Sequence, residues 1–254
     1  MNKDTVLAAF NEQIRRRSER SCASERSVVG HIGDDWAGVT FSDLAEATAD
    51  AAIAAEVDRF AGAGRHWEWK HYSYDQPADL PRRLLAAGLT AEPAETLLVA
   101  EMSDLELNLR LPAGVELFPV VDAQGAAAVV AVHDQVFGGD HSAIGRLLLA
   151  GLADDCETVA GVVAMADGIP VAAGRVEFQP GTDFASIWGG GTVPAWRGQG
   201  VFRALVAYRA ALAADRGFRY VQVDASAQSR PILQRLGFVE LATTTPFMHT
   251  GGTL

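Results

Sequence analysis

An α/β (α+β) fold, a mixed and mostly antiparallel sheet flanked by helices, is predicted by three features of the sequence. Short runs rich in β-branched and aromatic residues alternate with helix-length segments through both halves of the chain. Asp167-Gly168 separates two apolar runs, and a dipeptide whose members both tolerate positive φ joins antiparallel strands. Residues 192–205 (TVPAWRGQGVFRAL) carry a strand into a glycine-containing turn and then into a helix.

The N-terminal twenty residues read as a polar helix. Its Arg15, Arg16 and Arg17 are expected to be solvated, and it has no long apolar core of the kind a signal peptide needs. Residues 36–41 (WAGVTF) form a strand, and Ser42 and Asp43 open a helix running to about residue 63. Residues 67–72 (WEWKHY) are a strand with one buried face, because aromatic residues alternate with Glu68 and Lys70. Trp67, Trp69, Tyr72 and Tyr74 are therefore read as packing residues, with ligand stacking as the other use. A short helix stopped by Gly88 and a strand at 95–102 complete this half; residues 105–112 connect to the next.

The second half runs strand (115–121), helix (122–137), a break at Gly138, Gly139 and Asp140, and helix (142–152). Strands at 157–166, 171–178 and 184–193 follow, then helix (202–216), strand (220–224), helix (229–236) and strand (239–248). In each half a longer helix precedes a strand, a short helix, a glycine (Gly88, Gly237) and a strand. That echo is read as a degenerate tandem repeat, divided at 1–110 and 111–254. Similar βαβ physics in the two halves is the plainer account. The first half has no glycine-rich loop before its long helix, so it is expected to scaffold, dimerise or wall a cleft.

Composition narrows the function. The 254 residues are 49% hydrophobic and 21% charged, which is globular, and the net charge of −11 argues against binding nucleic acid. The acidity serves solubility or attracts a cationic substrate. No run is long enough to span a bilayer. Cys22 and Cys156 have no metal-ligand spacing, so no metal is expected; reduced thiols fit a cytoplasmic protein.

The stretch 192–205 carries the chemistry. Pro194 ends the strand's ladder, since it has no N–H to donate. Arg197, Gly198, Gln199 and Gly200 form a loop, and Val201 and Phe202 begin a helix. Exposed amides and the positive end of the helix dipole there suit a diphosphate, and glycines let its oxygens approach the backbone. The Walker pattern GxxxxGK[ST] is absent. Gly189, Gly190 and Gly191 in the preceding strand suggest a bulge or a close approach by ligand or backbone.

These residues resemble the GNAT superfamily of N-acetyltransferases, whose Arg/Gln-x-x-Gly-x-Gly/Ala turn is matched by Arg197 and Gly200, with Phe202 at the position usually held by a small residue. SRPILQRLGFVEL resembles the family's closing helix and Gly-Phe strand, and the likeness covers about residues 115–249. The resemblance implies acetyl-CoA as cosubstrate, bound by Thr192, Val193, Arg197, Gly198, Gln199, Gly200, Val201, Phe202 and Ser229. Its pantetheine arm would lie where the strands ending at Val193 and Asp224 splay, and a backbone N–H such as Val193's would serve as oxyanion donor. It also implies direct transfer to a primary amine of a small molecule or peptide; a homodimer is a further expectation. Many relatives use a Tyr four residues before the Gly of Gly-Phe; Leu233 stands there, and Ser226 replaces a usual Asn. Water, Ser226 or Ser229 is left as the proton source for the thiolate. For the base that deprotonates the amine, Asp224 comes first and Glu177 second; capping a loop and lining a solvated strand are their plainer uses. His133 is read as a satisfied core histidine, and His141 as part of a helix start, with the substrate mouth as its other use. The missing Tyr motivates a rival reading, a non-catalytic acyl-CoA sensor or assembly module.

Overall fold

A computed structural model describes residues 1–17, 27–33, 36–61, 66–108, 110–154 and 158–250. Cys22 and Cys156 lie outside the described residues. The described chain holds seven α-helices and eleven strands and divides into two compact units. The first comprises Met1–Leu97, Asp224–Gln228 and Glu240–Leu254, and the second Leu98–Val223 and Ser229–Val239. The 110/111 division read from the sequence falls inside the stretch that belongs to the second unit.

In the first unit, α1 (Lys3–Phe10) starts at Asn2, whose side chain accepts from the Thr5 N–H, and runs on as a π-helical turn to Arg15. β1 (Val28–Ile32) pairs antiparallel with β2 (Ala37–Ser42). β2 pairs parallel with β3 (Trp67–Tyr72), which pairs antiparallel with β11 (Val239–His249). β4 (Thr90–Ala91) sits on β11. Trp67, Trp69, Ile53, Phe60, Leu80 and Leu84 are buried together under α2 (Ala49–Ala61) and α3 (Leu80–Ala86), so the aromatic residues of β3 pack. The expected helix from residue 43 begins instead at Ala49. Leu44 is drawn into the core and its N–H bonds to the Gln76 carbonyl, which holds residues 43–45 outside the helix.

Arg15 overturns the expectation of a solvated side chain: it is 1% exposed. β2 and β3 pair only at Gly38–Glu68 and Val39–Trp69, and beyond that point the Arg15 guanidinium enters between them. Its Nε donates to the Thr40 carbonyl at 3.0 Å, and its plane lies 3.8 Å from the Tyr72 ring centroid. Asp75 takes both terminal nitrogens at 2.9 Å, which neutralises the buried charge.

In the second unit, β6 (Val115–Pro119), β7 (Val159–Ala166), β8 (Ile169–Phe178) and β9 (Phe184–Thr192) pair antiparallel in sequence order, and β10 (Tyr220–Ala225) joins β9 in parallel. β5 (Glu95–Glu101) and β10 contribute residues to both units. Asp167 and Gly168 take φ of 50° and 77° in the β7–β8 turn, the hairpin the dipeptide predicted. α4 (Ala123–Phe137) is capped by Asp122, whose carboxylate accepts from Gly125 N–H at 2.8 Å, and leads to α5 (Ser142–Ala153). α4 and α5 bury Val120, Val129, Val132 and Leu148 against β7 and β8. The other core of this unit joins Val162, Ala172 and Val193 to Val201 and Leu205 of α6 (Val201–Asp215). α7 (Arg230–Arg235) precedes Gly237, which like Gly88 has a strongly positive φ.

Candidate functional site

The site grows from the way β9 loses its partners. β10 pairs with β9 at Tyr220–Phe184, Val221–Ala185 and Gln222–Ser186, and there the ladder stops. Residues 187–192 continue β9, paired only with β8. In that stretch the β8–β9 register slips: Trp188 faces Arg175 and Gly191 faces Ala173, so Gly189 and Gly190 together oppose Gly174. This is a β-bulge, with Gly189 at φ 60°. A side chain at Gly190 would meet the Phe202 ring and Arg209, each at 3.0 Å. The bulky Phe202 is accommodated because β9 has no side chain opposite it.

Arg209 holds the bulge from the α6 side. It is 1% exposed, and its guanidinium donates to the carbonyls of Leu205 (3.0 Å), Trp188 (3.1 Å) and Arg175 (3.3 Å). A Cβ on Gly174 would lie 2.7 Å from its Nη1. Burial, aided by the charge of Arg175, pulls its pKa down to about 9, so it stays charged at neutral pH. On the opposite face, His133 Nε2 lies 2.8 Å from the Gly189 carbonyl. Burial lowers its pKa to about 4, and the neutral ring donates; it is the satisfied core histidine expected.

After β9, Val193 N–H donates to the Val171 carbonyl at 2.9 Å. The amide expected to serve as oxyanion donor is thus committed to the sheet, because an antiparallel ladder takes alternate residues of a strand. By the same alternation Thr192 faces away from β8; its carbonyl accepts from Arg197 Nε at 3.0 Å, and its buried Oγ1 has no hydrogen-bond partner among the described residues. Gly198 and Gly200 take φ of 76° and 92°, values that carry a strain for any other residue. The first main-chain bond of α6 runs from Ala204 to Gly200, and the N–H groups of residues 198–203 find no acceptor among the described residues. They stand at the positive end of a 15-residue helix.

The remaining sequence candidates are dispersed. Ser229 sits at the start of α7, and Ser226 is exposed in the stretch assigned to the first unit. Leu233 is 1% exposed and packed, so a tyrosine there has no room. Glu177, near the end of β8, is ion-paired with Arg175 at 2.7 Å. Asp224 belongs to the first unit, where Lys70 lies 3.0 Å from it, 3.2 Å from Glu95 and 3.9 Å from Glu68. Burial works to lower the Lys70 pKa, but the three carboxylates hold it above its ordinary value; burial raises Glu68 and Glu95. Sequence reasoning missed Arg209, although it falls on the buried stripe of Val201 and Leu205 at a spacing of four, an anomalous place for a charge. It also missed the buried Gln222–Ser186 hydrogen bond, at the last paired register of β10 and β9, which only the strand pairing reveals.

Residues 128–238 match the model of the acetyltransferase (GNAT) family. Over this stretch the chain is similar to the GNAT acetyltransferase family. The matched stretch begins inside α4 and ends at Phe238, so it contains the bulge, the loop and the parting of β9 from β10. No curated protein matches the chain. Among solved structures, a GCN5-related N-acetyltransferase from Kribbella flavida is 23% identical with a TM-score of 0.70, covering 99% of this chain and 96% of that one. A conserved protein of unknown function from Staphylococcus epidermidis is 17% identical with a TM-score of 0.62, covering 85% of this chain and 84% of that one. A tandem GNAT protein from the clavulanic acid biosynthesis pathway is 14% identical with a TM-score of 0.57, covering 99% of this chain and 95% of that one. These likenesses extend the GNAT fold beyond the matched stretch. Among the described residues, no helix is long and apolar enough to cross a membrane.

Proposed function

We propose that the 111–254 part of the chain binds acetyl-CoA and transfers its acetyl group directly to a primary amine of a small molecule or peptide, while residues 1–110 act as scaffold. The observation that carries this reading is the run of acceptor-free amides at residues 198–203, at the start of α6 and next to the point where β10 leaves β9. Amides so placed suit a diphosphate, and they come from Gly198, Gln199, Gly200, Val201 and Phe202 themselves. Arg197 directly precedes them, and Ser229 stands at the start of α7. The unpaired edge of β9 offers main-chain groups to an extended arm, as an added strand would use them. Thr192 replaces Val193 as the amide offered to the acyl oxygen, since Val193 already donates; its unpartnered Oγ1 stands beside that amide. Acetyl-CoA supplies the activated thioester; the protein binds, orients and moves protons.

Titration calorimetry with acetyl-CoA tests the binding. Saturable heat is expected, and Gly200→Trp should abolish it while the fold survives, because the indole would occupy the diphosphate's place. Unchanged affinity in the variant would remove the loop from the reading. The buried Leu233 and the ion pairs of Glu177 and Asp224 favour one other reading, a non-catalytic acyl-CoA sensor or assembly module. Release of free thiol in the presence of amines separates the two.

A further inference from the structure

The turn between α4 and α5 holds polar groups that the acetyl-transfer reading has not used. Asp134 Oδ1 accepts from the His141 main-chain N–H at 2.9 Å and contacts its Nδ1 at 3.0 Å. A carboxylate can only accept, so Nδ1 carries the ring proton and Nε2 presents its lone pair. Nε2 has no hydrogen-bond partner among the described residues, and the side chain is 26% exposed, within reach of a solute. The ring packs against His133 (centroids 5.6 Å) and Phe137 (6.0 Å). Those two rings line the bulge: His133 bonds the Gly189 carbonyl, and a Cβ on Gly191 would lie 3.1 Å from the Phe137 ring. His141 therefore stands one ring away from the glycine stretch that β10 has left unpaired.

We infer that His141, oriented by Asp134, is the proton acceptor for the amine, an inference that rests on the acetyl-transfer reading. An ammonium ion has no lone pair to attack with. Nε2 takes one of its protons, leaving a neutral amine and an imidazolium whose charge Asp134 balances. The amine lone pair then forms the C–N bond to the acetyl carbon as the C–S bond breaks, its electron pair leaving with sulfur. A second proton passes from nitrogen to the thiolate, and the imidazolium returns its own to water. The rival groups are committed: one oxygen of Asp224 to Lys70, one of Glu177 to Arg175, and Nε2 of His133 to Gly189. The charged and titratable groups that face His141 are Asp134 and His133 from α4 and Asp140 from the turn; Arg175 on β8 acts on His133.

The test uses the full chain, acetyl-CoA, and spermidine, glucosamine, lysine and a lysine-containing peptide as amine probes, with thiol release as the rate and calorimetry for affinity. His141→Ala should lower kcat/KM by about a hundredfold or more at neutral pH. It should also remove the acid limb of the pH profile and leave acetyl-CoA affinity unchanged; added imidazole should restore part of the rate, and Asp134→Asn should lie between. A His141→Ala rate within about threefold of the parent would overturn the assignment. If no probe is turned over, nitrogen NMR of the imidazole decides. A proton on Nδ1 with bare Nε2, lost in Asp134→Asn, supports the assignment; a proton on Nε2 overturns it. Failure of acetyl-CoA to bind the parent protein is read in the calorimetry alone and sinks the acetyl-transfer reading together with this one.

Discussion

Single residues at the bulge carry the tightest constraints in the molecule. Gly189 combines φ of 60° with a would-be Cβ 2.6 Å from the His133 ring. Gly189→Ala therefore meets two penalties, about 1 kcal/mol of left-handed backbone strain and about 1–3 kcal/mol of overpacking. Urea unfolding should show a loss in that range; an unchanged midpoint would mean the bulge relaxes freely. His133, against which that Cβ would press, makes stability depend on pH. Its folded pKa of about 4 lies below the ordinary 6.5, so from pH 6.5 downward the unfolded chain takes a proton that the folded chain refuses. Stability contributed above 6.5 is lost progressively as pH falls to about 4, by roughly 3 kcal/mol in all. His71 in the first unit is shifted in the same direction by burial and adds to the slope. The diagnostic is thus the difference between parent and His133→Gln: the variant's stability should fall less steeply across that window, and parallel curves would show that His133 titrates normally.

Elements were legible in the sequence where period and punctuation agreed, and illegible where a tertiary contact overrode them. The Asp167-Gly168 hairpin, the strand at 67–72 and the helix after Gly200 all rest on local chemistry, and the structure has each. β1 and β4 were missed because five and two residues carry too little pattern to stand out. α2 starts six residues after Asp43 because a long-range bond at Leu44 wins over a local capping signal. The glycine loop was read from its residues, but the committed Val193 amide and the Arg209 clamp emerge only once β8 and α6 are set against β9. The largest misreading was at the N-terminus, where three consecutive arginines suggested a solvated face and the first of them is buried against Asp75 and Tyr72. Removing one partner of a buried pair leaves the other charge unneutralised. Arg15→Ala should accordingly cost about 3–5 kcal/mol in denaturant unfolding, far more than Arg17→Ala. Equal, small effects would return Arg15 to the surface role.

At the scale of the whole chain, the two halves use one plan with opposite outcomes. Each has a parallel strand pair joined through a helix, β2–β3 and β9–β10, whose ladder ends after two or three residue pairs. Beyond that point the second half presents Gly198, Gly200 and acceptor-free amides before its helix. The first half presents Asp43 and Glu46 before its helix, whose carboxylates repel a diphosphate, and Arg15 already fills the space between its strands. The repeat is thus legible as geometry, while the proposed binding of acetyl-CoA would require both the loop chemistry and the open gap, a combination that the second half offers and the first does not. The expected consequence is a stoichiometry of one acetyl-CoA per chain, read by calorimetry on protein whose active fraction is known. Gly200→Trp should bring that number to zero, with no weaker event remaining from the other half. Two binding events per chain, or one that survives Gly200→Trp, would show that the first half binds the nucleotide despite Arg15, and the scaffold role assigned to it would have to be given up.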